Sequence, residues 1–153
     1  MTLDVRALRA PIAAATADVL ADRAAVCEVV RVYALGIDLR DEAMVASVFA
    51  SGAVVRGLIG EAPAEEYVPR LLAGVAPYDA TMHNITNQYA VVDGDEAAVW
   101  SYAVALHLET PDNGRDDMAM GVHYRDQLTR TEHGWAITAR HTVKLWHRGP
   151  FPR

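Results

Sequence analysis

Proton transfer is the chemistry this sequence is equipped for. It carries six histidines against a single cysteine, Cys27, and a single lysine, Lys144. One cysteine excludes an intramolecular disulfide and a thiolate metal cluster, and it fits a reducing compartment, so a cytoplasmic protein is expected. Schiff-base chemistry is confined to Lys144, and no Gly-rich phosphate loop, HExxH, GxSxG or calcium-loop pattern occurs. His123, His141 and His147 fall on separate predicted strands without ligand spacing, so they read as surface or interface residues and no metal is expected. Among the carboxylates, Asp38 stands out. It ends a long predicted helix, where the helix dipole disfavours negative charge, so it needs another reason to be there. An imidazole bonded to a carboxylate through one nitrogen has a fixed tautomer and a more basic second nitrogen, as a general base near pH 7 requires.

Periodicity supplies the frame for these groups. Leu3 to Ala10 and Ile12 to Ala21 form an Ala-rich helical lead-in broken by Pro11. Asp22 is the expected N-cap of the main helix, whose apolar stripe runs through Val26, Val29, Val30, Tyr33, Ala34 and Ile37 to Asp38. A second helix is predicted over Glu42 to Phe49, closed by Ser51-Gly52, and an edge strand over Ala53 to Leu58. Pro63 suits the first turn of a third helix, with Glu65 and Glu66 at its positive end. From Thr81 the period becomes two. Strands are predicted over Thr81 to Val92, Glu96 to Glu109, Met118 to Thr131 and Trp135 to His147, the first pair joined by Asp93-Gly94. Three helices followed by long hairpins imply an α+β fold, a curved, mainly antiparallel sheet wrapped over a helical layer.

Parity assigns the strand faces. Ser101, Ala103, Ala105 and His107 share one face, and Tyr124, Asp126 and Leu128 another. Polar groups set among small and apolar ones are how a ligand cavity is lined. By this reading His107 is a second acid or an oxygen donor, and Asp126, costly if buried alone, pairs with Arg130 or a histidine or serves the pocket. His83, Ile85, Asn87 and Tyr89 share a strand face, and Asn87 and Tyr89 are further candidates. Tyr33 is either core or a donor to a substrate oxygen. Trp100, Tyr102 and Leu106 lie on the opposite, convex side, which suits an oligomer contact.

With 153 residues, 52% of them hydrophobic and 22% charged, the chain is read as one domain over 1–153, with 1–20 as lead-in and 148–153 as tail. The net charge of −6 excludes the basic footprint of a nucleic-acid binder. No apolar run approaches the roughly 20 residues of a membrane span. Asp4, Arg6, Arg9 and Asp18 interrupt the first 20 residues, so no secretory leader is expected there.

The run from Tyr33 through Asp38 to Asp41, then Val48-Phe49, Met82-His83-Asn84-Ile85, Val92 to Asp95 and Gly134 to Ile137, resembles the SnoaL-like branch of the NTF2-like superfamily, nearest its scytalone dehydratase and hexachlorocyclohexane dehydrochlorinase patterns. The resemblance covers residues 20–147 and implies a cone-shaped α+β barrel. It implies that Asp38 orients His83 as proton-abstracting base, that His107 is a second catalytic histidine, and that Asp126 and Arg130 match further polar site positions. Tyr33 and Ile37 stand where the relatives carry a lysine and a tyrosine. The function implied is a lyase or isomerase without cofactor, of dehydratase or cyclase type, acting on a small hydrophobic, oxygenated, polyketide- or steroid-like substrate. Tyr33, Asn87, Tyr124, Asp126 and Arg130 are then its substrate-binding residues. The alternative is a non-catalytic small-molecule-binding or assembly domain of the same fold. A homo-dimer or homo-trimer is expected, with no nucleic-acid or membrane partner.

Overall fold

The structure, a computed structural model, describes residues 3–7, 16–110 and 115–150. Helices α1 (Ala17–Leu39) and α2 (Glu42–Ser47) precede strands β1 (Phe49–Gly57) and β2 (Gly60–Pro63), then helix α3 (Ala64–Val75). Strands β3 (Ala80–Asp93), β4 (Glu96–Leu108), β5 (Met118–Thr131) and β6 (Gly134–Arg148) follow. They form one six-stranded sheet in the order β2-β1-β6-β5-β4-β3, in which only β1 and β6 run parallel. This is the α+β arrangement expected. The core lies between the concave sheet face and the inner sides of α1 and α3, where Val26, Val30 and Ile37 meet Val68, Val99 and Leu128. No helix among the described residues is long and apolar enough to cross a membrane.

Helix α1 begins earlier than Asp22. Thr16 is its N-cap, the side chain accepting the Val19 N–H, because Ala17 to Ala21 continues the helix without a break. Asp22 lies within the helix instead, bonded to Arg130 and to the Trp135 indole. Of the expected lead-in, residues 8–15 lie outside the described residues and Val5–Ala7 form a single 3₁₀ turn. At the other end Arg40 closes α1 in the left-handed region, with φ 56°. Its guanidinium donates to the carbonyls of Asp38, Val75 and Tyr78, tying the end of α1 to the end of α3.

Strand β1 is not an edge. It starts at Phe49, lies between β2 and β6, and Ser51-Gly52 forms a bulge in it rather than the end of α2. The true edge on that side is β2, whose four residues, Gly and Pro among them, give no periodic signal. On the other side β3 is the edge, and α1 lies along it.

Further irregularities decide which side chains face inward. The β3–β4 pairing slips by one residue between Ile85 and Gln88, and the β5–β6 pairing slips between Gln127 and Leu128. Each slip reverses the inward and outward sides of one strand relative to a regular hairpin.

Candidate active site

The Asp38 carboxylate reaches the unpaired edge of β3 from the last turn of α1. One oxygen accepts the His83 backbone N–H at 2.8 Å, and the other lies 2.7 Å from His83 Nδ1. An edge strand leaves alternate N–H groups without a sheet partner, and Asp38 satisfies one of them. Burial pushes the Asp38 pKa up, but the hydrogen bonds from the His83 ring and backbone outweigh it and hold the carboxyl below its ordinary value. The carboxylate is therefore ionised at neutral pH and can only accept. His83 Nδ1 must then carry the hydrogen, which leaves the Nε2 lone pair as the free basic position of the ring. The histidine side chain is 6% exposed, sheltered from bulk water.

His83 lines a cavity of about 400 Å³ inside the cone. Its walls are mainly apolar: Ile37 from α1, Leu58 and Ile59 from the β1–β2 turn, Leu71 and Val75 from α3, and Met118, Met120 and Val122 from β5. His107 lies beside it on the adjacent strand β4, its ring centroid 5.8 Å from that of His83 and 4.9 Å from that of Tyr78. Burial, and secondarily the neighbouring His83, lowers the His107 pKa to about 4, so this histidine is neutral near pH 7. Its Nδ1 is buried and has no hydrogen-bond partner among the described residues. Volume and lining are those of a site for a small apolar ligand held by a few polar contacts.

Tyr33 and Tyr124 also line the cavity, edge to face with centroids 5.8 Å apart. Burial raises the pKa of both hydroxyls, so they stay protonated. Behind them Asp126 pairs with Arg140 through two parallel bonds, Nε to Oδ1 at 2.7 Å and Nη2 to Oδ2 at 2.8 Å. Both side chains are fully buried. Asp126 thus faces inward as its parity implied, but its partner is Arg140, which the sequence reading did not single out.

Arg130, expected in the site, is at the surface on Asp22 and Asp95. Asn87 is exposed and absent from the cavity wall, as is Tyr89, because the β3 slip turns both outward. Gln88 turns inward in their place and bonds Ser101 Oγ and the Cys27 carbonyl. His123, expected to be a surface or interface residue, is buried, stacked on Tyr102 with centroids 4.6 Å apart and edge-on to Trp100. Among the described residues no three His, Cys, Asp or Glu side chains converge as a metal site. Of the expected catalytic and substrate-binding residues, His83, His107, Tyr33 and Tyr124 line one cavity and Asp38 holds His83 there, whereas Asp126 lies behind the wall on Arg140, and Asn87 and Arg130 stand away from it.

The same architecture is found in solved structures. A candidate scytalone dehydratase from Novosphingobium aromaticivorans superposes with TM-score 0.78 at 20% identity, over 90% of this chain and 94% of its own. A hexachlorocyclohexane dehydrochlorinase from Novosphingobium barchaimii gives TM-score 0.72 at 21% identity, over 86% of this chain and 91% of its own. An NTF2-like protein with a cystatin-like fold, also from Novosphingobium aromaticivorans, gives 0.72 at 17% identity over 84% of each chain. At such identities the likeness is one of fold, and no curated protein matches the sequence. The SnoaL-like domain family, in contrast, matches residues 18–141, most of the chain. With its curved sheet, helical cover and apolar cone, this protein is a member of the SnoaL-like domain family of NTF2-like fold.

Proposed function

We propose that the protein is a cofactor-free lyase or isomerase in which His83, oriented by Asp38, is the general base. The observation that carries this reading is the 2.7 Å contact of His83 Nδ1 with Asp38 on a histidine that lines an apolar cavity. Nε2 takes a proton from carbon next to a carbonyl or a leaving group, and Asp38 balances the imidazolium that forms. His107, neutral and on the cavity wall, contacts a substrate oxygen, as do Tyr33 and Tyr124. The substrate is small, hydrophobic and oxygenated, of polyketide or steroid type. Dehydration and dehydrochlorination, the reactions named for two structural neighbours, are both eliminations and suit the same base.

A screen of hydroxylated ketones of these two types, read by the absorbance of a newly conjugated enone, tests the assignment. Turnover that is lost in His83→Ala supports it. Ligand binding without turnover in any of them favours a binding domain.

The convex sheet face supports self-association as a dimer or trimer. Tyr102 and Trp146 are each 41% exposed there, beside Trp100. Light scattering of wild type and Tyr102→Glu at micromolar concentration tests this, a monomeric wild type contradicting it. The lone Cys27 suits a reducing cytoplasm.

A further inference from the structure

The cavity is polar at a second place, away from the histidines. Arg140 lays its guanidinium against the faces of Tyr33 and Tyr124, 4.0 and 4.5 Å from the ring centroids. Asp126 holds two of its nitrogens, while Nη1 is buried without a hydrogen-bond partner among the described residues. Such a pair is a poor device for stability, since apolar side chains of similar volume do as well or better. Burial opposes the charge on Arg140, but the Asp126 carboxylate outweighs it and keeps the guanidinium protonated. What this fixed cation can act on is the pair of phenol rings between it and the cavity. A cation on a ring face draws electron density from the ring and makes its O–H a stronger donor. Two protonated phenols on the wall of an apolar cavity are suited to a ligand oxygen that bears negative charge.

We propose that Arg140 is a positioning residue, acting through Tyr33 and Tyr124, that makes this end of the cavity bind a ligand oxygen as its anion. The ligand class is then ring compounds with an ionisable phenolic or enolic hydroxyl. This rests on reading the cavity as the binding site, and it does not require turnover.

The test uses the full chain and para-nitrophenol, whose anion is yellow. Bound to wild type, the probe should titrate about one to two pH units below its free value. Tyr33→Phe and Tyr124→Phe keep the rings and should each reduce that shift. The double variant Arg140→Met with Asp126→Leu removes the cation without leaving a buried carboxylate unpaired, and it should abolish the shift; a merely space-filling Arg140 would leave it unmoved. If the double variant does not fold, the two tyrosine variants decide. Failure of wild type to bind the probe, an unshifted bound probe, or a full shift retained in both tyrosine variants would overturn the proposal. Loss of the shift in His83→Ala alone would place the anion at the histidine end, overturning this proposal while leaving the general-base reading intact.

Discussion

Asp38 grips His83 at two points, the ring Nδ1 at 2.7 Å and the backbone N–H at 2.8 Å, so one carboxylate fixes both the tautomer and the ring's place on the strand. Ring rotation away from the cavity would break the first bond while the second held the strand in position. The dyad therefore depends on α1 ending where β3 has a free edge.

Asp38→Asn keeps an oxygen for the backbone N–H but removes the charge that orders the ring tautomer. The variant should fold and lose about 10²- to 10⁴-fold in kcat/KM on any substrate found. Nitrogen-15 NMR of His83 checks the cause: wild type should show Nδ1 protonated and Nε2 free, and Asp38→Asn a mixture.

Folding stability should fall in acid in two stages. His107 titrates near 6.5 when unfolded but only at about 4 when folded, so between these values the unfolded chain binds the extra proton. Stability is thus lost as pH drops from about 6.5 to about 4 and does not fall further through this group below that. Asp38 is shifted in the same direction, its folded pKa lying below 3.8. Its contribution is complete above that value and disappears as pH falls through the folded pKa. Urea unfolding across pH 3 to 8 should show the upper stage vanish in His107→Gln and the lower one in Asp38→Asn.

Asp126→Ala leaves the Arg140 charge buried and unpaired, and should cost about 3–5 kcal/mol in denaturant unfolding. Replacing both partners, Asp126→Leu with Arg140→Met, should recover most of that loss. Additive losses would mean that the pair does not act as a unit.

Gly57 lies directly beneath the Tyr67 hydroxyl, where a Cβ would collide with the ring. Tyr67 anchors α3 against the β1–β2 region that also supplies Leu58 and Ile59 to the cavity wall. Gly57→Ala should cost about 1–3 kcal/mol through overpacking, measured by thermal unfolding. Tyr67→Phe in the same background should relieve part of it.

Much of the frame was legible in the sequence because its signals are local. The α1 stripe from Val26 to Ile37, the Met118–Thr131 strand and the inward parity of His107, Tyr124 and Asp126 follow from side-chain period alone. What escaped depends on pairings slipped by one residue. A regular β5–β6 hairpin places Ala139 opposite Asp126; the slip near Leu128 brings Arg140 there instead. The slip after Ile85 likewise sends Asn87 outward and Gln88 inward, and no residue type in that segment announces it. The burial cost of Asp126 was the one available signal that a cation must lie nearby, but it could not say which arginine.

The most direct measurement is proton exchange itself. In heavy water, wild type should catalyse deuterium uptake next to the carbonyl of a cavity-sized cyclic ketone, followed by proton NMR. His83→Ala, with its fold verified by circular dichroism, should slow that uptake by about 10²- to 10⁴-fold. Uptake at the wild-type rate in His83→Ala would contradict the assignment of His83 as the base.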